Sequence, residues 1–386
     1  MIRLPVDRPG SVGRCAAASG QVSIFGRRAR FAIAVLALFL AACAGTSGSV
    51  PAPSPRAASG PLRDTWTWNG SGWTQIATQG GPSARFTTAM AFDAERHRLI
   101  LFGGSGLLDQ FGDTWSWDGH VWTQPHPVHH PGTLSDHLMA YDEARRQVVL
   151  YGGIHGLYEH GSPITETWTW DGQDWNLRAT TGPPSLKGMA MAFDPLSRRL
   201  VLFGGSRFLN AGYSNATWSW DGQGWTILAQ TAGPAPRNGV SLGFDRASQA
   251  LLLFGGAVEN PAAAGGAGGT AVADTWSFVG GAWKLLSPPS SPTARSHAAI
   301  AYDTPGRRLI LFSATACPFR SETWARAAAA WKLLRSPTSP QPRTPAAIPA
   351  DLHRGSLVPL RGPAAHPALP RIGWPRTRPD PGPRPP

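Results

Sequence analysis

Histidines are concentrated in one part of the sequence, where they could serve as metal ligands. Seven of the eleven fall in a stretch of about forty residues. Within it, the segment HPVHH places His126, His129 and His130 close together, and imidazole nitrogens bind copper and zinc. Pro127 and Pro131 stiffen this segment, and neither a cysteine nor a carboxylate pair accompanies it. We therefore predict a solvated loop and no cofactor, and keep the three histidines as the alternative metal site.

The seventeen tryptophans suggest a different chemistry, the stacking of aromatic rings on sugars. The segment DTWSWDGHVW (113–122) has close relatives that begin at positions 64, 166, 216, 274 and 322. Sugar-binding rings must be exposed, whereas a residue repeated this regularly is suited to filling the space between stacked sheets. We predict core packing for the tryptophans.

Arginines and aspartates also recur at equivalent positions. Arg85, Arg237 and Arg295 begin equivalent segments, so they could line a channel mouth and receive an anion, or satisfy carbonyls and carboxylates within the fold. The recurrence favours the structural role. Aspartates are predicted as turn residues at positions 93, 142, 194, 245 and 303. None of these groups is paired as a general acid and base at any readable spacing.

The segments that differ between repeats are better candidates for a ligand surface, because binding residues are often carried by loops on a rigid scaffold. These segments span residues 105–112, 154–165, 206–215 and 257–273. They carry apolar and aromatic residues that we predict to be exposed and to bind a protein or glycan: Leu107, Leu108, Phe111, His155, Tyr158, Phe208 and Tyr213.

The elements that must position these residues follow from a repeat. The first tryptophans of the six related segments, at 66, 115, 168, 218, 276 and 324, are spaced by 48 to 58 residues. Each period predicts four short strands, as in TTAMAFD, RLILFGG, TWSW and VWTQ. Asp-Gly and Asn-Gly pairs supply the positive φ angles of a tight hairpin turn between the last two. The glycine doublet after the second strand predicts a bulge or a close backbone approach.

A glycine doublet after an apolar strand, then an aromatic strand and a lone tryptophan, resembles the kelch repeat across residues 64–334. The resemblance implies an all-β fold, a six-bladed kelch-type β-propeller with four antiparallel strands per blade, over residues 63–362. Residues 343–362 align with 295–314, so we predict that they pair with 64–78 and close the last blade. Pro349 and Pro359 make this closing hairpin degenerate, because each removes a hydrogen-bond donor.

Kelch propellers also resemble the catalytic domain of galactose-oxidase-type copper radical enzymes. That resemblance implies a Cys–Tyr crosslink, a second tyrosine and two histidines around copper. Here Cys317 lies in an eroded repeat, and the five tyrosines show no matching arrangement. We therefore predict a non-catalytic binding or scaffold propeller and keep the oxidase as the alternative. A degenerate paralogue without a specific ligand is a third possibility, since the glycine doublet is lost at 313–314.

The termini carry most of the net charge of +12, with +5 in residues 1–42 and +5 in 341–386. A core this close to neutral predicts no nucleic-acid partner. Residues 1–42 read as a signal peptide, and LAAC (40–43) resembles the bacterial lipoprotein box, which implies lipidation of Cys43. Cleavage of an ordinary signal peptide is the alternative. We expect a monomer outside the cytoplasm, anchored to a membrane through Cys43, with a flexible tether over 43–62 and a Pro/Arg-rich disordered tail over 363–386.

Overall fold

The computed structural model describes these residues: 64–76, 80–156, 161–207, 212–228, 233–259, 269–314, 320–327, 329–340, 350–351 and 356–357. All of them belong to one compact unit, Ala57–Pro386. In these ranges every regular element is a β-strand, and no helix is long and apolar enough to cross a membrane. The predicted signal peptide, tether and tail, with Cys43, lie outside the described residues, as does Cys317.

Six four-stranded antiparallel sheets contain most of the described strands. Sheet I joins segments from both ends of the chain, namely β1 (Thr65–Trp68), β2 (Trp73–Ile76), β26 (Ala350–Asp351) and β27 (Ser356–Leu357). Sheet II contains β3 (Ala89–Asp93), β4 (Arg98–Ser105), β5 (Gln110–Trp117) and β6 (Trp122–Thr123). Sheet III contains β7 (Leu138–Asp142), β8 (Gln147–His155), β9 (Ser162–Trp170) and β10 (Trp175–Ala179).

The remaining sheets follow the same order along the chain. Sheet IV contains β11 (Lys187–Asp194), β12 (Arg199–Ser206), β13 (Thr217–Trp220) and β14 (Trp225–Ile227). Sheet V contains β16 (Ser241–Asp245), β17 (Ala250–Phe254), β20 (Thr275–Val279) and β21 (Ala282–Leu286). Sheet VI contains β22 (Ala299–Asp303), β23 (Arg308–Ala314), β24 (Ser321–Ala327) and β25 (Ala330–Leu334).

A smaller sheet includes two strands from a segment that the sequence interpretation left as an irregular connection. It has three strands, β15 (Arg237–Asn238), β18 (Ala257–Glu259) and β19 (Gly269–Ala271). Val258 pairs with Thr270 and also with Arg237, so part of the 257–273 connection is a hairpin. Its low hydrophobicity and many glycines gave no strand signal, because the pairing uses backbone groups that any sequence carries.

The hydrophobic core lies between neighbouring sheets. The second strand of each repeat is apolar on both faces, and in β4 the four residues Leu99–Phe102 are at most 3% exposed. One core cluster combines Ile100 and Phe102 of sheet II with Leu150 and Trp175 of sheet III. A strand covered on both faces needs apolar residues without alternation, which explains these continuous runs.

Two kinds of turn join the strands. The recurrent aspartates act as predicted, since the buried Asp93 carboxylate accepts the backbone N–H groups of Glu95 and Arg96, both at 3.2 Å. The tryptophan hairpins differ from the prediction because only the glycine has a positive φ, 99° at Gly119. Asp118 instead accepts two backbone N–H groups at 2.8 Å, which stabilises a loop of four residues between the paired Trp117 and Trp122.

The glycine doublets mark a close approach of two backbones. Gly103 and Gly104 have φ values of 57° and 101°. A Cβ atom on Gly103 would lie 2.5 Å from the carbonyl oxygen of Leu134, at the start of the next repeat. Because L-residues rarely adopt this conformation and the space is occupied, only glycine fits here.

One hydrogen bond recurs at each junction between neighbouring four-stranded sheets. The lone tryptophan of one sheet donates its indole N–H to the hydroxyl oxygen of the threonine that begins TW in the preceding sheet. The pairs are Trp122–Thr65 (3.3 Å), Trp175–Thr114 (3.0 Å), Trp225–Thr167 (2.9 Å), Trp283–Thr217 (2.9 Å), Trp331–Thr275 (3.3 Å) and Trp73–Thr323 (2.8 Å).

The first strands of the sheets also contact one another in sequence. The contacting pairs are β3–β7, β7–β11, β11–β16, β16–β22, β22–β26 and β26–β3. In sheet I, Trp68 pairs with Leu357, which in turn pairs with Ala350. Most of the predicted closing hairpin 343–362 lies outside the described residues. The fold is all-β with several four-stranded antiparallel sheets, an arrangement compatible with a β-propeller.

Candidate ligand-binding cavity

The first strands of sheets II to VI, with the residues just before them, line a main cavity of about 700 Å³. A second cavity of about 210 Å³ is lined by the later residues of the same strands. Both cavities share one residue from the equivalent position of each of sheets II to VI. We call this set the waist: Met90, Met139, Met191, Leu242 and Ile300. A volume of about 700 Å³ falls in the range of small-molecule sites.

The rim of the main cavity is formed by residues that precede the first strands. Their equivalent members all have left-handed backbone conformations, with φ between 52° and 67°: Thr87, Asp136, Gly188, Gly239 and His297. Backbone hydrogen bonds join neighbours along this rim, from Asp136 N to Thr87 O (3.0 Å), from Gly239 N to Gly188 O (2.7 Å) and from His297 N to Gly239 O (2.6 Å). These bonds join the backbone segments that carry the rim residues.

A side pocket of about 200 Å³ opens beside the rim. It shares Thr87, Asp136 and Lys187 with the main cavity, so these residues lie where the two spaces meet. Its other walls include the apolar side chains of Phe86 and Ile154. Asp136 is half-buried, and burial raises the pKa of its carboxyl group while the charge of Lys187 opposes the rise.

Two histidines of the cavity lining are neutral at pH 7. Burial lowers the pKa of His297, and it lowers the pKa of His137 to about 3. The His297 ring lies against Gly239, where a Cβ atom would be 2.6 Å from the ring carbon Cε1. Gly239 therefore makes room for an imidazole from the neighbouring sheet.

The predicted channel-mouth arginines are buried and paired within the fold. Arg85, Arg237 and Arg295 are 0%, 2% and 4% exposed. Their guanidinium groups contact carboxylates that precede the TW segments: Arg85 with Asp113 at 2.5 Å, Arg237 with Asp274 at 2.6 Å, and Arg295 with Glu322 at 2.7 Å. This placement favours the structural role that the recurrence suggested, since the groups do not face solvent.

The predicted loop residues differ in exposure. Leu107 and Leu108 are 65% and 84% exposed at the turn between β4 and β5. Phe111 is half-buried beneath the Arg85 guanidinium, whose carbon lies 4.1 Å from the ring centroid. His155 belongs to β8, with its Nδ1 2.5 Å from the carbonyl oxygen of Thr133.

The other members of that set are less informative. Tyr213 is half-buried and forms an isolated bridge with Ser206. Tyr158 and Phe208 lie outside the described residues. The structure therefore brings Leu107 and Leu108 to the surface and packs Phe111, His155 and Tyr213 against neighbouring segments.

The HPVHH segment is exposed, as predicted for a loop. His129 contacts Asp174 through its ring, with Nδ1 2.7 Å from Oδ2, while the ring of His130 accepts the backbone N–H of Gly132 at 3.1 Å. His126 is exposed as well. Across the residues that the structure describes, no group of three or more His, Cys, Asp or Glu side chains could hold a metal ion.

Sequence reasoning missed Asp136, Lys187 and His297 as lining residues. Asp136 and His297 stand two positions after the one that Arg85 occupies in its own repeat, where other repeats have threonine or glycine. Lys187 stands one position after it, where other repeats have phenylalanine, serine or asparagine. These positions vary between repeats although the residues on either side of them recur, and this variation was the sequence signal that could have indicated a ligand site.

The chain is thus an all-β protein in which the first strands of five four-stranded sheets line a cavity. No known protein family matches it, and no curated protein is significantly similar to it in sequence.

Proposed function

We propose that the chain is a six-bladed kelch-type β-propeller that binds a macromolecule without catalysis. The closed hydrogen-bond series supports six blades, because Trp73 and Thr323 link sheet I to sheet VI in the same way as the other junctions. In this arrangement sheet I is the blade that both chain ends supply, and the waist lies on the central axis.

The observation that carries the binding function is an open cavity surrounded by connections of unequal length. Ser105 and Gly156, which belong to two of these connections, line the side pocket, and Ser206 of a third lines the main cavity. The cavity mouth and the variable connections therefore share one face. Leu107 and Leu108 project from this face, and exposed apolar pairs at loop tips suit contact with a protein or with the apolar face of a glycan.

The test is a glycan array and a pull-down from envelope extracts, both with the purified chain. The double variant Leu107→Asp/Leu108→Asp should lose the bound ligand, because two charges enter the contact. Ile227→Asp is the matched control, since Ile227 is 56% exposed on the outer strand β14. Binding that survives in the double variant would contradict the proposed face.

Catalysis is tested separately. The purified chain is loaded with copper and assayed for oxygen-dependent peroxide formation on simple sugars and aldehydes. Copper-dependent turnover would overturn the non-catalytic proposal in favour of an oxidase. If the chain forms no peroxide and binds no glycan on the array, the remaining alternatives are a protein partner and a degenerate paralogue without a specific ligand.

We further propose export and lipid anchoring through Cys43, with a monomeric propeller outside the cytoplasm. The support is the LAAC segment and the apolar run before it. Mass spectrometry of the chain from a bacterial membrane fraction should find a diacylglyceryl group on Cys43, and Cys43→Ser should release the protein from the membrane. A soluble wild-type protein with an unmodified N-terminus would contradict this anchoring.

A further inference from the structure

The second cavity, which the waist separates from the main cavity, is lined mainly by apolar groups and has a volume of about 210 Å³. In each of sheets II to VI, the residue two positions after the waist residue is aromatic and also lines this cavity, because alternate residues of a strand share a face. The waist and these aromatic residues therefore form two successive apolar layers. The aromatic layer consists of Phe92, Tyr141, Phe193, Phe244 and Tyr302.

The rings of the aromatic layer are held by neighbouring sheets. The hydroxyl oxygen of Tyr141 accepts the backbone N–H of Glu95 at 3.1 Å, and its ring packs on the core cluster between sheets II and III. Phe193 and Phe244 pack in the same way on the next two clusters. Tyr141, Phe193 and Phe244 nevertheless remain half-buried. Part of each ring is therefore free to contact a ligand, and the wall is fixed before the ligand arrives.

Only two charged residues are among the described residues that line the second cavity, Glu143 and Arg246. They occupy equivalent positions in sheets III and V, each two residues after the aromatic residue of its strand. The two side chains pair with each other, with Oε1 of Glu143 2.7 Å from Nη2 of Arg246, and both are partly exposed. Sheet IV lies between them and has Pro195 at this position. The ion pair therefore crosses the end of sheet IV at the solvent side of the cavity.

This lining suits an apolar ligand better than a charged one. An anion would lose its hydration without a free partner, because Arg246 is already paired with Glu143. A cation would gain from the aromatic faces but would lose its hydration within reach of the Arg246 guanidinium. An apolar cavity of about 150 Å³ is sufficient for benzene. A cavity of about 210 Å³ accordingly accommodates benzene with a short alkyl group.

We propose that the second cavity binds a small apolar aromatic molecule of the alkylbenzene class, which enters past the ion pair of Glu143 and Arg246. The ligand lies within the aromatic layer and against the waist, and the ion pair covers it from the solvent. Because an exposed ion pair contributes little free energy, it can break without unfolding the protein. The site lies at the opposite end of the first strands from the face that carries Leu107 and Leu108, and neither proposal depends on the other.

The experiment is isothermal titration of the purified full chain with toluene and with two charged probes that share its ring, benzoate and benzylammonium. Toluene should bind at least about tenfold more tightly than either charged probe, because a charge finds no free partner in this cavity. Equal or tighter binding of either charged probe would overturn the apolar assignment. The absence of toluene binding at its saturating concentration would overturn the site.

Variants of the wall locate the ligand. Phe193→Trp and Phe244→Trp place a larger side chain at the cavity wall and should each weaken toluene binding about fivefold or more. Phe278→Trp is the matched control, because Phe278 does not line the cavity and lies at a position where sheets I to IV have tryptophan. Wild-type affinity in both cavity variants, with melting temperatures close to that of the control, would refute the site even if toluene binds elsewhere.

The entry route is tested through exchange rates, which NMR measures for bound and free toluene. Glu143→Gln and Arg246→Met each keep the approximate size of the side chain and remove the ion pair. Both variants should raise the association and dissociation rate constants by the same factor, about two- to fivefold, and leave the dissociation constant unchanged. Glu95→Gln is the control, because its ion pair with Arg146 does not line the cavity. Wild-type rates in both variants would refute entry past this pair.

Discussion

The hydrogen bond between Trp73 and Thr323 can be weighed against its equivalent between Trp175 and Thr114. Thr323 and Thr114 are 3% and 1% exposed, and their hydroxyl oxygens lie 2.8 and 3.0 Å from the indole nitrogens. Substitution by valine keeps the shape and the strand preference of the side chain but removes the acceptor. The buried indole N–H is then unsatisfied, which costs about 1–3 kcal/mol of the free energy of unfolding.

Each variant should therefore unfold at a lower urea concentration than the wild type, with tryptophan fluorescence as the readout. For a domain of this size, 1 kcal/mol corresponds to about 2–4 °C in melting temperature. Thr226→Val is the control, because Thr226 is exposed on β14 and its substitution should change stability by less than about 0.5 kcal/mol.

The comparison between the two junctions is the decisive part. If sheet I is held to sheet VI as the other neighbours are held, Thr323→Val and Thr114→Val should cost similar amounts. A destabilised Thr114→Val beside an unaffected Thr323→Val would refute the reasoning that this bond joins the two chain ends. Wild-type stability of both variants would show that the recurrent bond contributes nothing.

Three further predictions concern buried groups. Arg326 is 4% exposed and has no ion pair within the described residues, and it occupies the position that Phe278 has in sheet V. Arg326→Phe should therefore raise the free energy of unfolding, measured in urea, by about 1–4 kcal/mol. Gly103→Ala should lower the melting temperature by several degrees, since it forces a Cβ atom at positive φ to 2.5 Å from a carbonyl oxygen and costs about 1–3 kcal/mol. Burial raises the pKa of Asp113, but hydrogen bonds and charge from Arg85 outweigh it and lower the pKa below 3.8. Its contribution to stability is therefore present above pH 3.8 and is lost as the pH falls further. Arg85→Met should flatten this loss in melts between pH 5 and about pH 2, and an unchanged slope would contradict the assignment.

The strands and their pairing could be predicted because the same order of apolar strand, glycine doublet, aromatic strand and lone tryptophan recurs along the chain. The continuous apolar run of Leu99–Phe102 and the paired tryptophans indicated which strands are covered, and the recurrent Asp93 position indicated a turn. The hairpin loops were predicted less well, because Asp118 acts through its carboxylate and not through its own backbone angle. The hairpin of β18 and β19 gave no hydrophobic signal.

Most of the candidate site could not be predicted from the sequence. Asp136 precedes β7 and Lys187 begins β11, about fifty residues later, and only the stacking of sheets brings them to one opening. Phe111 looked like a surface aromatic, but the buried Arg85 takes one face of its ring. Sequence periodicity states which positions are equivalent, whereas exposure depends on which neighbour covers them.

The waist affects how a solute would exchange with the solvent. Its five side chains carry no group that can replace the hydration shell of a charged molecule, so passage from the main cavity to the second cavity requires desolvation. Such a solute must leave by the opening through which it entered, and its residence time is then governed by the rim alone. Widening the waist, for example with Met139→Ala, should leave the association and dissociation rates of a charged ligand unchanged while it admits apolar molecules from the opposite side.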